Sequence, residues 1–163
     1  MNIKNNYLTR IGLYRKYVEE LVPFDPYIAQ MGYKETHDVA MYYIETPGVE
    51  WVDIKNKEDK TIGFVIFSTV KNDHHPAADY GICQTYILPK YRRQGIVSKT
   101  VKSYLNSHPG IISLDILKEN DKAKAFWKKL MYELDAVEVP LNEIRTGDIV
   151  LYTTLYGYYI PEN

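Results

Sequence analysis

The sequence lacks most features of a secreted or membrane protein. Its 163 residues include one cysteine, Cys83, so an internal disulfide is excluded and a cysteine-based zinc site cannot be assembled. No apolar run approaches the roughly 18 residues of a membrane span. The N-terminus, MNIKNNYLTRIGLYRK, has no apolar core of signal-peptide length. We therefore expect a soluble, cytoplasmic protein with no membrane partner.

An excess of charge of either sign is also missing. Twenty basic residues stand against 21 acidic ones, for a formal net charge of -1. Binding to a phosphate backbone usually requires a clear basic surplus, so nucleic acid is not an expected partner. The pair His74-His75 offers two metal ligands, but neighbouring loop residues rarely converge on one ion, and we expect no metal site.

What the chain does contain is enough apolar material for one core. Its hydrophobic content is 45%, and a domain of this size buries roughly 68–70% of the surface of its unfolded chain. We expect a single domain over residues 1–163. Most of the 16 tyrosines are interpreted as packing residues with a polar tip. A C-terminal group could instead line an acceptor site or a homodimer contact, namely Tyr152, Tyr156, Tyr158 and Tyr159.

Hydrophobic periodicity predicts the order of the elements. Two helices come first, over residues 9–22 and from Pro26 to the region before Pro47, and a β-hairpin follows over residues 49–54 and 62–69. The predicted elements after the hairpin are a strand at 82–88, a helix at 95–107, a buried strand at 111–117, a helix from Asn120, and strands at 137–139 and 149–155. The order ααββ, βαβα, ββ predicts an α/β fold with one mixed sheet between helices.

The segment YILPKYRRQGIVSKT, residues 86–100, leads from a strand through a turn with one glycine into a helix. The first amides of such a helix lack internal partners and the helix dipole favours an anion, so phosphate is the expected ligand. A P-loop is excluded because Arg93 and Ser98 stand at its two glycine positions. A dinucleotide fingerprint is excluded because it needs three glycines.

Two segments resemble motifs of the GCN5-related N-acetyltransferases. Residues 92–97, RRQGIV, are similar to the acetyl-CoA motif of Arg or Gln, two residues, Gly, one residue, then Gly or Ala, although Val97 stands at its last position. Residues 120–130, NDKAKAFWKKL, resemble the motif Asn-x-x-Ala-x-x-Phe-Tyr-x-Lys-Leu, but Met131-Tyr132 replaces the Gly-Phe that usually follows. The resemblance implies an enzyme that transfers an acetyl group from acetyl-CoA to a primary amine by direct attack in a ternary complex.

The resemblance also implies where acetyl-CoA would bind. The pantetheine arm would bond main-chain groups of residues 86–88. The pyrophosphate would lie against the amides of residues 93–98, where Gly95 permits close approach, and the side chains of Arg92 and Arg93 would neutralise it. Asn120 is expected to cap its helix. The full set of implied contacts is Tyr86, Ile87, Leu88, Arg92, Arg93, Gln94, Gly95, Ile96, Val97, Ser98, Asn120, Phe126 and Trp127.

The resemblance leaves the acid and the base of the reaction unassigned. Many family members carry a glutamate at the position that matches Gln84, and glutamine cannot take a proton. Trp127 matches the tyrosine that commonly protonates the leaving thiol. The catalytic candidates are therefore Gln84 itself and carboxylates acting through water, namely Asp79, Asp115, Glu50 and Asp53.

Two other functions stay open beside the enzyme. One is a binding module that keeps the fold and the cofactor but has lost transfer. The other is a structural domain whose groove is filled by side chains such as Val97 and Met131. We rank the enzyme first because both motifs and the backbone donors occur together.

Overall fold

The computed structural model describes residues 3–140, 144–146 and 149–158, with side chains described for 6–138 and 154–158. Within these ranges the secondary structure follows the predicted order closely. Seven strands form one sheet, and α-helices pack on its two faces. Among the described residues, no helix combines the length and the apolar character that crossing a membrane requires.

The N-terminal part contains three helices, α1 (Ile3–Leu21), α2 (Pro26–Gln30) and α3 (Tyr33–Glu45). The prediction of one long second helix is wrong, because new caps divide it. The Asp25 side chain accepts from the amide of Tyr27 at 2.8 Å and starts α2. The Glu35 side chain accepts from the amide of Gly32 at 3.0 Å and starts α3. Between the two helices Met31 is extended, with ψ at 125°.

The rest of the chain supplies the sheet and two more helices. These elements are β1 (Val49–Lys55), β2 (Thr61–Ser68), β3 (Tyr80–Ile87), α4 (Ile96–Ser107), β4 (Gly110–Leu117), α5 (Asp121–Glu133), β5 (Val137–Pro140), β6 (Ile144–Thr146) and β7 (Ile149–Tyr158). The predicted hairpin is confirmed as β1 and β2, which pair antiparallel. The sequence did not predict β6, since its three residues are too few to show a period.

The sheet is mixed, as predicted. Its strand order is β1-β2-β3-β4-β7-β5, and β6 also pairs with β7. Among the described strands only β3 and β4 run parallel, and the other described pairs are antiparallel. One core lies between the sheet and α4 and α5, and a second core lies between the sheet and α1 and α3. We call them the α4/α5 core and the α1/α3 core.

A β-bulge at Cys83 changes the phase of β3. In the pairing with β2, Ile66 is opposite Gln84 and Phe67 is opposite Ile82, so Cys83 is one extra residue. Before the bulge, Ile82 faces the α4/α5 core, whereas after it Tyr86 faces the α1/α3 core. The parallel pairing with β4 also ends here, at Ile82 and Leu114.

Candidate active site

An opening begins where β3 and β4 stop pairing. Strand β3 continues to Ile87 and β4 to Leu117, but their last pair is Ile82 with Leu114. Backbone amides and carbonyls along this edge of β3 are therefore available to another extended group. The Thr85 hydroxyl is buried and finds no hydrogen-bond partner in the part of the chain that the structure describes. Thr85 pairs with Val65, which faces the α4/α5 core.

The turn between β3 and α4 forms a concave row of amides. Arg93 and Gly95 both have left-handed backbone conformations, with φ of 59° and 71°. Alternation of this kind turns successive N–H groups toward one point, which suits an anion. No acceptor in the described residues binds the amides of residues 93–98, and Gly95 gives α4 no side-chain cap. A Cβ at Gly95 would meet no heavy atom within 4 Å, so the space above the turn is open.

The two arginines of this turn have different surroundings. The Arg92 Nη2 donates to both carboxylate oxygens of Glu20 at 2.7 Å, and its Nε donates to the carbonyl of Ile87 at 3.0 Å. Arg92 therefore holds the end of β3 to α1. Arg93 is exposed and makes no ion pair with any residue the structure describes. Of the two, Arg93 is the one able to neutralise a bound anion.

The second motif is mostly structural. Asn120 caps α5, as predicted, with its Oδ1 accepting from the amide of Ala123 at 3.2 Å. Trp127 is 8% exposed and lies in the α4/α5 core, whereas Phe126 is 37% exposed. The side chain of Val97 is 9% exposed and lies in the same core, so it does not cover the amides of the turn.

A cavity lies on the other face of β3, between it and the three N-terminal helices. Its volume is about 420 Å³, and we call it the helical cavity. The single strand residue in its lining is Gln84, on the segment of β3 that borders the opening. The lining consists of Tyr14, Tyr17, Val18, Leu21, Tyr27, Ile28, Met31, Glu35, Asp38, Val39 and Gln84.

Gln84 is held in place by two tyrosines. The Tyr17 hydroxyl donates to its Oε1, and its Nε2 donates to the Tyr43 hydroxyl at 3.1 Å. Burial raises the pKa of Tyr43 to about 12 and also raises the pKa of Tyr17 above its ordinary value. Both phenols are therefore protonated at neutral pH. Among the described residues, the polar end of the helical cavity presents a fixed amide and no group that takes up a proton.

Comparison with known proteins agrees with this geometry. The sequence profile of the acetyltransferase (GNAT) family matches residues 14–131. The chain belongs to this family. It is an N-acetyltransferase with the predicted fold. No curated protein sequence matches the chain.

Several solved GNAT structures share the fold. An N-acetyltransferase from Staphylococcus aureus Mu50 is 13% identical, with 91% of this chain and 96% of that chain covered and a TM-score of 0.63. A spermidine N-acetyltransferase from Vibrio cholerae, in complex with CoA and spermine, is 13% identical, with coverage of 94% and 90% and a TM-score of 0.61. Tetrahymena GCN5 is 10% identical, with coverage of 96% and 90% and a TM-score of 0.60.

The carboxylates considered as bases of this acetyltransferase are widely separated. Asp79 accepts from the amide of Ile111 at 2.7 Å, at the paired start of β3. It precedes Gln84 by five residues, about 17 Å along an extended strand, so the structure does not bring it to the opening. Asp53 binds Arg10 through both oxygens at 3.0 Å.

The other two carboxylates lie on β1 and β4. Burial, with a smaller contribution from Glu50, raises the pKa of the Tyr104 phenol to about 12, so Glu50 lies near Tyr104 over the hairpin. Asp115 follows Leu114, the residue at which the pairing of β4 with β3 ends. Burial raises the pKa of the Cys83 thiol to about 12, and the nearby charges of Asp73 and Asp115 add to this rise. Asp115 is therefore the one of the four that lies beside the opening.

The C-terminal tyrosines fall into two groups. Tyr156 and Tyr158 are buried in the α4/α5 core, and the Tyr158 hydroxyl donates to Asn106 at 2.5 Å. They are packing residues with a polar tip. The side chain of Tyr152 and all of Tyr159 lie outside the described residues.

Sequence reasoning missed four residues of this site. Tyr17 and Tyr43 hold Gln84, Glu20 engages Arg92, and Thr85 places a hydroxyl at the opening. Helical periodicity could have placed Tyr17 on the inner face of α1, since it lies three residues after Tyr14. No local pattern signals the other contacts, because each partner is distant in the sequence.

Proposed function

We propose that this N-acetyltransferase transfers the acetyl group of acetyl-CoA to a small-molecule primary amine by direct attack in a ternary complex. The observation that carries the proposal is the position of β3. Beyond Cys83 this strand has the helical cavity against one face, at Gln84, and the unpaired opening along its edge. Two ligands that entered from these sides would meet at the same strand segment.

The residues present fit acetyl-CoA. The unbonded amides of residues 93–98 and the exposed Arg93 suit its pyrophosphate. The unpaired edge of β3 from Cys83 to Ile87 suits the amides of its pantetheine arm, and the orphaned Thr85 hydroxyl supplies one more hydrogen-bonding group. When bound, acetyl-CoA supplies a thioester, and transfer forms a C–N bond, breaks the C–S bond and moves one amine proton to the CoA thiol.

Most of the catalysis would come from positioning. A β3 amide at the opening polarises the acetyl carbonyl, and the helical cavity orients the amine against it. The amine must be neutral to attack. A lysine-like amine is neutral in only about one molecule in 10³ at pH 7, a cost of roughly 4–5 kcal/mol. The apolar walls of the cavity favour the neutral form, and Asp115 is the carboxylate we assign to proton removal through water.

One observation favours a second candidate function. Gln84 is hydrogen-bonded on both sides and Trp127 lies in the core, so neither supplies the base or the acid common at these positions. A CoA-binding module without transfer would look the same.

Calorimetry with CoA and a thiol-release assay with acetyl-CoA and a panel of amines separate these functions. We expect micromolar affinity for CoA, about 7–8 kcal/mol, and slow CoA release that depends on the amine. Binding of CoA with no release above hydrolysis for any amine would identify a binding module. No binding of CoA at millimolar concentration would refute the proposal.

A further inference from the structure

We infer that the amine acceptor is a primary monoamine on an aromatic or branched hydrocarbon body, and not a polyamine or a lysine of a folded protein. This inference rests on the proposed function and concerns the helical cavity. It names the class of substrate that the lining residues can desolvate and hold. Four properties of the cavity support it.

The first property is size. A volume of about 420 Å³ falls in the range of small-molecule pockets, roughly 300–1,000 Å³. The walls come from α1, α2 and α3, and Gln84 lies at the strand end. A volume of this order matches one small-molecule acceptor, which the three helices can contact on several sides.

The second property is the chemistry of the wall. Eight of the eleven lining residues are aliphatic, aromatic or methionine side chains. The rings of Tyr14 and Tyr17 lie 5.7 Å apart at the buried end, and Tyr27 is 65% exposed at the mouth. Such a surface gains most from covering apolar ligand area, because the hydrophobic contribution scales with that area. An aromatic or branched body fits it better than a linear charged chain.

The third property is the placement of charge. Glu35 and Asp38 are the two carboxylates in the lining, and both are exposed. Each already has partners, since Glu35 accepts from the amide of Gly32 and Asp38 binds Lys34 and His37. Further ammonium groups of a polyamine would compete with the Gly32 amide, Lys34 and His37 for these two carboxylates, and exposed pairs of this kind contribute little, about 0–1 kcal/mol.

The fourth property is the neutral strand end. Gln84 Oε1 accepts one bond from Tyr17 and has a second lone pair, so it can accept one N–H of a neutral amine. It adds no negative charge that would hold an ammonium ion. The lining thus favours an apolar amine over a polyamine, even though structural neighbours include spermidine N-acetyltransferases. At 13% identity the fold is shared, and the substrate is set by the site.

Steady-state CoA release at saturating acetyl-CoA tests the inference with four acceptors. These are phenethylamine, 3-methylbutylamine, spermidine and a lysine-containing peptide. We expect kcat/KM for the first two to exceed that for the last two by at least tenfold. Equal or better turnover of spermidine or the peptide would overturn the inference and leave the proposed function intact.

A variant of the cavity wall sharpens the test. Val39→Asp adds a carboxylate to the lining, and we expect it to lower kcat/KM for phenethylamine at least tenfold and to raise it for spermidine, with CoA affinity unchanged. Val137→Asp makes the same change at a valine that is 67% exposed and lies outside the cavity lining. It should leave kcat/KM for both amines and the affinity for CoA unchanged. If Val39→Asp does not fold, Tyr27→Glu at the exposed mouth makes the same comparison. An unchanged preference in the folded variant would overturn the inference.

Direct binding covers the case in which no amine is acetylated. Calorimetry of phenethylamine and spermidine with the CoA-saturated protein reports on the cavity without any chemistry. Tighter binding of phenethylamine would support the substrate class even if transfer is absent. Binding of spermidine alone, or of neither amine, would overturn it.

Discussion

Arg92 binds both carboxylate oxygens of Glu20 at 2.7 Å and so joins the last turn of α1 to the turn that precedes α4. The two side chains are 39% and 43% exposed, so the pair contributes little to stability, about 0–1 kcal/mol. Its effect is on placement. It ties a wall of the helical cavity to the glycine turn, and it leaves Arg93 as the arginine of that turn without a carboxylate partner among the described residues.

Replacing Arg93 should therefore weaken CoA binding specifically. We expect Arg93→Glu to lower CoA affinity at least tenfold, because it removes a positive charge beside the pyrophosphate and adds a negative one. The thermal midpoint should change little, since Arg93 is exposed. Lys71→Glu makes the same charge change at an exposed residue that follows the end of β2 farthest from the turn. This control variant should bind CoA normally. Calorimetry at fixed salt makes the measurement, and normal binding by Arg93→Glu would place the anion elsewhere.

Gly95 should matter for binding more than for stability. A Cβ there meets no atom within 4 Å, but φ is 71°, so Gly95→Ala should cost about 1 kcal/mol of unfolding free energy through backbone strain alone. The same Cβ enters the space above the amides and should weaken CoA binding at least tenfold. Gly12→Ala in α1 also has open space and no strained φ, and it should keep both stability and affinity. Denaturant unfolding and calorimetry test the pair, and a Gly95→Ala protein that binds CoA normally would contradict this account.

Gln84→Glu should restore a base at the strand end of the helical cavity. Burial would raise the pKa of the new carboxyl above its ordinary value, toward the range where a general base works best near neutral pH. In the wild type, kcat/KM should rise with pH because only the neutral fraction of the amine reacts. In the variant, kcat/KM should begin to rise at lower pH, and at pH 7 it should exceed the wild-type value at least tenfold.

The pH profile of kcat/KM for an active amine is the measurement for this variant. Gln84→Met, which keeps the size of the side chain and removes its polarity, should show no shift in the profile. The Glu variant should also be less stable by about 1–3 kcal/mol, because it buries a charge among tyrosines. A profile with the wild-type shape would mean that Gln84 does not face the reacting amine.

The leaving thiol should need no tyrosine from α4 or α5. Trp127 is buried in the core, and Tyr104 stacks on Phe67 with 3.5 Å between the ring centroids, while burial raises the pKa of its phenol to about 12. A thiol of pKa near 8.5 can leave as the thiolate. The absence of a general acid should therefore lower kcat by only part of the 10²–10⁴-fold factor typical of general acid–base catalysis. We expect Tyr104→Phe to keep kcat within about tenfold and Trp127→Tyr not to lower it. A thousandfold loss in Tyr104→Phe, with acetyl-CoA binding intact, would reveal a relocated acid.

Local patterns were sufficient for the parts of the site that lie close together in the sequence. The turn from Arg92 to Ser98 and the cap at Asn120 are short-range features, and the strand and helix around them followed from periodicity. The sequence predicted one helix where the structure has α2 and α3. The break depends on a hydrogen bond from the Gly32 amide to the Glu35 side chain, which replaces the bond that a continuous helix would make there. The pairing of Arg92 with Glu20 joins residues 72 positions apart, and the two tyrosine contacts of Gln84 span 67 and 41 positions. Such contacts depend on tertiary packing that no local window contains.

Because Cys83 is the extra residue of a bulge, the structure of β3 depends more on the number of residues in the strand at this point than on their type. A substitution at Cys83 alters one side chain, whereas its deletion would remove the bulge and leave Ile82 opposite Phe67 and Gln84 opposite Ile66, as they are now. The side chains after it would keep their present faces, but the strand would lose its irregularity at the point where pairing with β4 ends. A single codon deletion would thus let a regular β3 pair with β4 beyond Leu114 and close the opening, with the composition of the strand almost unchanged.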